Sequence, residues 1–204
     1  HIERIGRVCY KSEDKITEDG ESAKKFVNML IKAGHEAMIE HSTLSVMFTV
    51  DRGVSHELVR HRIASFAQES TRYCNYAKDK FGSECAFIDI RDGIEYDSKM
   101  KKMTADQLMY CIQEWEDAMR DAEKHYMKML QYGATPQIAR GVLPNSVKTN
   151  ITLTANYREW RNFFKLRVPA TAHPQMREIT IPLLKDLKEK LPIIFDDIEV
   201  VENE

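Results

Sequence analysis

The side chains of this sequence follow two different spacings of apolar and polar residues, one typical of helices and the other of strands. Over residues 26–33 the apolar residues recur every three or four positions, which predicts a helix that ends at Gly34. In residues 44–50 and 147–155, apolar and polar side chains largely alternate, and this period of two predicts two strands.

The longest predicted element is a helix over about residues 104–131, ended by Gly133 and Pro136. Its apolar stripe faces either the core or another subunit. The stripe consists of Leu108, Cys111, Ile112, Trp115, Ala118, Met119, Ala122, Tyr126 and Met129.

Shorter patterns predict further helices over residues 53–61, 157–167 and 174–190, and a strand over residues 85–90. The segment after the first of these helices is predicted to leave it as a loop and to return as an extended chain. Because helices and strands do not alternate regularly, the pattern predicts an α+β fold, with a mixed or antiparallel sheet flanked by long helices.

Composition sets the broad class of protein. The 204 residues contain no repeat and no linker-like stretch, which predicts one domain over residues 1–204. The net charge of −2 gives no general attraction to nucleic acid. No apolar run approaches the roughly 20 residues of a membrane span, and the start is unlike a signal peptide. We therefore expect a cytoplasmic protein without a membrane partner, and further residues before His1.

Cysteine and histidine spacing argues against a metal site. The four cysteines have no CxxC pattern, which favours a reduced protein. The seven histidines are dispersed and lack the helical spacing of a zinc pair. The sequence therefore predicts no bound metal.

Residues 60–73, called here the basic segment, carry three arginines, one histidine, two serines and Gln68. The guanidinium of arginine is a rigid fork of donors that matches phosphate, and hydroxyl and amide groups add neutral donors. This composition favours an anion site. The alternative is a solvated turn whose arginines pair with Glu57 and Glu69.

The predicted helix over residues 157–167 has two distinctive faces. One face carries an aromatic stripe that ends at Arg167, and this arginine either reaches solvent or stacks on a ring. Another face carries Arg158 and Asn162 one turn apart, with Asn156 just before the helix. These three side chains form either a polar wall of a site or an ordinary solvated surface.

The order Arg60-His61-Arg62, seven residues, then Ser70, one residue and Arg72 resembles the signature of the flavin-dependent thymidylate synthases. The resemblance covers about residues 30–170. Its other matching stretches are Gly34-His35-Glu36, Glu40-His41, Ala139-Arg140-Gly141-Val142-Leu143-Pro144, Ala155-Asn156-Tyr157-Arg158, Asn162 and Leu166-Arg167.

The resemblance implies an enzyme that methylates dUMP to dTMP, with methylenetetrahydrofolate as carbon donor and NADPH as reductant. It also implies non-covalent FAD and a homotetramer with shared active sites. The implied flavin-binding residues are His35, Arg60, His61, Arg62, Gln68, Asn156, Arg158 and Asn162. The implied dUMP-binding residues are Glu57, Arg60, Gln68, Ser70, Arg72, Arg140 and Arg167.

The family chemistry implied by this resemblance uses no cysteine nucleophile, and Arg167 is the expected catalytic residue, beside the pyrimidine. The sequence departs from the family pattern at three positions. Ala67-Gln68 replaces a common Asn-Glu pair, Glu57 replaces a common glutamine, and Ala37 replaces a hydroxyl residue. A role that needs a carboxylate at position 68 therefore does not carry over.

A different class of function also fits a basic segment, namely a non-catalytic nucleotide-binding or RNA-binding module. Such modules usually interleave aromatic residues with a broad basic surface. The present sequence lacks that pattern and has a negative net charge. The enzyme interpretation is therefore favoured.

Overall fold

A computed structural model describes residues 1–78 and 82–200 and has the α+β fold class that the sequence predicts. The helices and strands, in chain order, are α1 (Ile2–Val8), α2 (Glu21–Lys32), β1 (Thr43–Asp51), α3 (Arg52–Leu58), β2 (Ala64–Gln68), α4 (Arg91–Ile94), α5 (Ala105–Gln131), α6 (Pro136–Ala139), β3 (Lys148–Asn156), α7 (Tyr157–Arg167) and α8 (Pro174–Lys190). A 3-10 helix, Glu36–His41, precedes β1.

The three strands form an antiparallel sheet in the order β1-β3-β2. Two side-chain pairs fix the register of β1 against β3: Ser45 with Thr154 at 2.7 Å, and Thr49 with Asn150 at 2.9 Å. In β3 every second side chain is buried, from Thr149 onward. The alternation predicted from the sequence is therefore confirmed.

Side-chain caps explain where several helices begin. Asp51 ends β1 and accepts a hydrogen bond from the backbone nitrogen of Val54 at 2.6 Å, which starts α3. Thr104 and Gln107 form a reciprocal capping box at the start of α5. At the other end of a helix, Gly34 has a φ of +71°, a conformation that favours glycine and stops α2 as predicted.

Two sequence predictions about local structure are wrong. Residues 85–90 do not form a strand, because Phe87 makes an isolated bridge and Asp89 then turns the chain into α4. Helix α3 ends at Leu58, so Arg60 lies in the following turn. The prediction that the chain after α3 leaves as a loop and returns as an extended segment is confirmed, because β2 follows the turn after α3. This strand stops at Gln68, and a backbone hydrogen bond from Cys74 to Ser70 closes the next turn.

The described chain divides into two compact units with interleaved sequence. The first contains His1–Val46, His61–Ser65 and the chain from Thr154 onward, and the second contains Met47–Arg60 and Phe66–Leu153. The single domain expected from the sequence stays a prediction.

In the first unit, α7 buries the aromatic stripe predicted from the sequence. Trp160, Phe163 and Phe164 are buried and meet one another through edge and stacked ring contacts. A second anchor of α7 is Arg161, which is 2% exposed and donates to Glu36 at 2.9 Å and to Asp197 at 2.6 and 2.7 Å. These contacts hold α7 from two sides.

In the second unit, α5 contributes Met119 and Tyr126 as buried residues. Tyr126 belongs to a cluster of buried side chains with Tyr76, Cys85 and Val147. Nearer its start, α5 is anchored by Trp115, whose ring nitrogen donates to the Ser146 hydroxyl at 3.1 Å.

Neither a membrane-spanning helix nor a group of metal-binding side chains is found in the described part of the chain. Within residues 1–78 and 82–200, no helix combines the length and apolar composition of a membrane span. In those same ranges, His, Cys, Asp and Glu side chains form no group of three placed to hold a metal ion.

Candidate functional site

The start of α7 forms one wall of a cavity in the first unit. Asn156 caps the helix by accepting a hydrogen bond from the Glu159 backbone nitrogen at 2.9 Å. The cap places Arg158 in the first turn and Asn162 one turn later. The cavity has a volume of ≈ 530 Å³.

This α7 cavity is lined by Asn156, Arg158, Glu159, Asn162, Glu36, Glu40, Ile63 and Lys165.

The charges of the α7 cavity are mixed. Arg158 forms ion pairs with Glu40 at 2.5 Å and with Glu36 at 3.8 Å, and Lys165 lies 4.0 Å from Glu36. The hydrogen bond to Glu40 raises the pKa of Arg158, which stays charged. The structure brings Asn156, Arg158 and Asn162 together in one wall, as the sequence suggested. A bound anion would therefore compete with Glu36 and Glu40 for Arg158 and Lys165.

A buried histidine in the first unit connects two parts of α7. His61 is 5% exposed, and its Nδ1 lies 3.0 Å from a carboxylate oxygen of Glu159. Its Nε2 lies 3.1 Å from Nε of Arg167. The ring also packs edge-on against Phe163, with centroids 5.0 Å apart. We call Glu159, His61 and Arg167 the α7 network.

The geometry of the α7 network determines the tautomer of His61. Nε of Arg167 can only donate, so Nε2 of His61 must accept. The proton of the neutral ring is therefore on Nδ1 and is donated to Glu159. Burial lowers the pKa of His61, the hydrogen bond to Glu159 opposes that shift, and the charge of Arg167 adds to it. The net direction favours the neutral ring that the geometry requires.

The other predicted residues of the first unit are exposed. His35 lies just before the 3-10 helix Glu36–His41, and Arg62 follows His61 directly. Neither of them lines the α7 cavity. Their predicted contact with a flavin stays a prediction.

The second unit has a cavity of its own, with a volume of ≈ 290 Å³. Arg140 lies in its wall and donates to the Thr71 hydroxyl at 3.0 Å. Arg52 and His56 bring further basic groups to the same wall. This Arg140 cavity is completed by Gly141, Leu143, Pro144, Asn145 and Val147. Its basic lining suits a phosphate group.

Other predicted residues of the second unit lie outside the lining of the Arg140 cavity. Gln68 donates to the Ser55 hydroxyl at 2.8 Å and, more weakly, to Thr149 at 3.4 Å. The Ser70 hydroxyl accepts from the backbone nitrogen of Arg72 at 3.3 Å, and the Arg72 guanidinium lies over the Tyr73 ring. The remaining predicted residues, Glu57 and Arg60, lie at the end of α3 and in the turn after it.

Sequence reasoning missed several residues at these two cavities. Arg52 and His56 are one turn apart on α3, a spacing that places both side chains on one helix face. Glu159 follows Asn156 at the spacing of a capping box, which was a signal for its structural importance. Its pairing with His61, 98 residues away, had no signal in the sequence.

The fold and the two cavities define an α+β protein that offers clustered basic and amide side chains to anionic ligands. The comparisons with known proteins are specific. Residues 1–193 match the family described as thymidylate synthase complementing protein. The chain belongs to this family.

Several curated relatives are named flavin-dependent thymidylate synthase. The relative from Corynebacterium aurimucosum is 34% identical over 204 residues, which cover 98% of this chain and 79% of the relative. The relative from Mycolicibacterium vanbaalenii is 32% identical over 213 residues, which cover 98% of this chain and 79% of the relative. The relative from Mycobacterium tuberculosis is 28% identical over the same shares of the two chains. The family resemblance of the sequence is therefore confirmed, and the protein is an enzyme of a flavin-dependent family.

Proposed function

We propose that the protein converts dUMP to dTMP, with methylenetetrahydrofolate as carbon donor, NADPH as reductant and non-covalently bound FAD. The observation that carries this proposal is the signature Arg60-His61-Arg62 with Ser70 and Arg72, in a chain that matches the family over residues 1–193. In the reaction, the methylene carbon bonds to carbon 5 of the uracil ring, which loses a proton, and the bonds of that carbon to the two folate nitrogens break. A hydride completes the methyl group, and tetrahydrofolate leaves.

The side chains at the α7 cavity fit an anionic dinucleotide. Arg158 and Lys165 supply positive charge, and the amides of Asn156 and Asn162 supply donors and acceptors for a ring edge. His35, Arg60, Arg62 and Gln68 complete the proposed FAD-binding set, and His61 supports it from its buried position. Reduced FAD, when bound, supplies the hydride.

Binding of dUMP is assigned to residues with basic or neutral donors. Arg140, Arg72 and Ser70 hold the phosphate, and this binding energy orients the pyrimidine. Gln68 contributes an uncharged amide that donates and accepts hydrogen bonds, and Glu57 contributes a carboxylate. The family pattern commonly has other residues at these two positions. Arg60 contributes to both ligands.

Activation of the pyrimidine is assigned to Arg167. Its guanidinium stabilises negative charge that develops on the ring, so a thiolate need not add to carbon 6. The surroundings of Cys85 agree with this assignment, because a buried thiol with a raised pKa is a poor nucleophile. Burial raises the pKa of the Cys85 thiol to about 12, and Cys9 and Cys111 are exposed on the surface.

The proposed enzyme is a cytoplasmic homotetramer whose active sites take residues from several chains. Its partners are the small-molecule substrates, without nucleic acid or membrane. Support comes from the absence of a dinucleotide-binding glycine motif in the sequence, because an FAD site without that motif is readily enclosed by neighbouring chains.

The test combines ligand binding with product formation. The protein is loaded with FAD, excess is removed, and FAD is measured after denaturation. Loaded protein is then supplied with dUMP, methylenetetrahydrofolate and NADPH without oxygen, and dTMP is measured by chromatography. We expect one FAD-dependent product, dTMP, and no product when any one substrate is left out. Retention of RNA by a protein that takes up no FAD would instead support the nucleic-acid-binding alternative.

A further inference from the structure

Glu159 is an unusual carboxylate in the first unit. It is 8% exposed, and its side chain accepts hydrogen bonds from neutral groups: Nδ1 of His61 at 3.0 Å and the amide of Asn162 at 3.3 and 3.4 Å. Burial of a carboxylate is costly unless hydrogen bonds stabilise it. The Glu159 carboxylate therefore fixes the orientation of the two side chains that donate to it, His61 and Asn162.

The orientation of His61 depends on Glu159. A neutral imidazole has one donor and one acceptor, and the acceptor of Glu159 selects the tautomer with its proton on Nδ1. Only this tautomer leaves Nε2 able to accept the hydrogen bond from Arg167 at 3.1 Å. The other tautomer would place two donors against each other.

Arg167 is therefore anchored at a defined atom. Its Nε binds His61, and its backbone oxygen accepts a hydrogen bond from the Thr180 hydroxyl at 3.0 Å. Because the guanidinium is planar and rigid, an anchored Nε fixes the plane in which the terminal nitrogens lie.

We infer that Glu159 is a positioning residue, which sets the direction of the Arg167 guanidinium through the ring of His61. The inference deepens the proposed function and rests on the role of Arg167 in pyrimidine activation. Glu159 itself touches neither substrate nor reacting atoms in this assignment. Its contribution is to keep one tautomer of His61, so that Arg167 has one orientation when substrate binds.

The first test is spectroscopic and uses the full chain without FAD or substrate. Ring nitrogen shifts of 15N-labelled histidine report which nitrogen of His61 carries the proton, with the signal assigned by its loss in His61→Asn. The Nε–H signal of Arg167, assigned by its loss in Arg167→Lys, reports the second hydrogen bond. We expect a proton on Nδ1 and a protected Arg167 Nε–H in the wild type. In Glu159→Ala we expect mixed tautomers and rapid exchange of that Nε–H.

The second test separates positioning from folding by comparing variants. Glu159→Gln keeps an acceptor for Nδ1–H, so it should preserve the tautomer and most turnover. Glu159→Ala should lower kcat for dTMP formation by roughly tenfold to a hundredfold, as misplacement of a catalytic group does, with a much smaller change in KM for dUMP. Glu3→Ala is the matched control, because Glu3 is also buried in the first unit but binds Arg7 and Ser22.

Two outcomes would overturn the inference. One is a wild-type His61 with its proton on Nε2, a result that needs no variant. The other is a Glu159→Ala protein in which the His61 tautomer and the Arg167 signal are unchanged, whatever its turnover. Failure of the wild type to form dTMP would refute the proposed function instead, and the spectra would still decide whether Glu159 orients Arg167.

Discussion

Arg140 and Arg167 carry the same charge but lie in different surroundings. Arg140 lines a cavity and binds the Thr71 hydroxyl, whereas Arg167 is anchored to the buried ring of His61. An arginine in a basic cavity is suited to hold a phosphate throughout the reaction. An arginine anchored through Nε is suited to stabilise charge that appears only in the transition state.

We predict different kinetic defects for these two residues. Arg140→Ala should weaken dUMP binding by roughly tenfold to a hundredfold, the effect of losing one charge-assisted contact, with a smaller change in kcat. Arg167→Ala should lower kcat at saturating dUMP while FAD stays bound. Steady-state kinetics and FAD titration measure both effects. Arg120→Ala is the control, because Arg120 is an exposed residue of α5 paired with Glu116 and Asp117. Wild-type kcat in Arg167→Ala would remove Arg167 from the mechanism.

At the residue scale, one wall of the α7 cavity could be predicted because its residues are close in sequence. Asn156, Arg158 and Asn162 lie on one short stretch, and helical spacing brings them into one cavity wall. The partners of His61 could not be predicted in the same way. Its contacts with Glu159 and Arg167 span 98 and 106 residues, and local patterns carry no information about such pairs.

At the scale of elements, α5 and α7 both start with side-chain caps but differ in what lies beside the cap. Asn156 caps α7 in the wall of the α7 cavity, and Thr104 caps α5 within a capping box. Both caps satisfy backbone N–H groups that a helix start leaves without partners. Their removal should therefore cost similar stability.

We predict that Asn156→Ala and Thr104→Ala each lower the free energy of unfolding by about 1 kcal/mol. Asn156→Ala should in addition weaken FAD binding, because the variant also loses an amide in the proposed flavin site. Urea unfolding and FAD titration of both variants measure the two effects. Equal FAD affinity in the two variants would argue that Asn156 is a structural cap alone.

Element boundaries were predictable wherever a cap or a strong period marks them. The predicted helices over residues 157–167 and 174–190 coincide with α7 and α8. The prediction of a strand over residues 85–90 is wrong, since a hydrogen bond from the Arg91 backbone nitrogen to the Asp89 carboxylate competes with strand pairing there. A short apolar run does not reveal this competition.

At the scale of the whole molecule, the ion pair of Arg161 with Asp197 ties α7 to the chain after α8 in the first unit. The hydrogen bond from Arg161 lowers the pKa of Asp197 below its ordinary value of 3.8. A lowered pKa in the folded state means that the stabilisation is present above pH 3.8 and is lost as pH falls through the folded-state pKa.

We predict that Asp197→Asn lowers the free energy of unfolding at pH 7 by about 1 kcal/mol, a modest value because the Asp197 side chain is half exposed. The difference between wild type and variant should shrink below pH 3.8 as the wild-type carboxylate is protonated. Urea unfolding at several pH values measures it. Asp186→Asn, in an exposed pair with Lys190, is the control and should change stability little at any pH. A difference that stays constant from pH 7 down to pH 2 would contradict the assignment.

Assembly is the largest scale at which the proposed function makes a claim. The basic segment exposes large apolar side chains, among them Ile63 at 70% and Tyr73 at 77%. Large apolar side chains lose contact with water when a second chain covers them, and this stabilises association. They agree with the proposed homotetramer, in which one chain's basic segment contributes to a site that another chain completes.

Two inactive variants should therefore restore activity to each other. If Arg60 and Arg167 of one active site come from different chains, random mixing of Arg60→Ala with Arg167→Ala subunits gives both arginines at about a quarter of the sites. We expect dTMP formation to rise toward about a quarter of the wild-type rate after subunits are exchanged and refolded together. Mixing Arg60→Ala with the double variant Arg60→Ala/Arg167→Ala is the control, since no subunit then carries Arg60 and no activity should return. Hybrid tetramers confirmed by mass spectrometry that form no dTMP would place both arginines in the site from one chain.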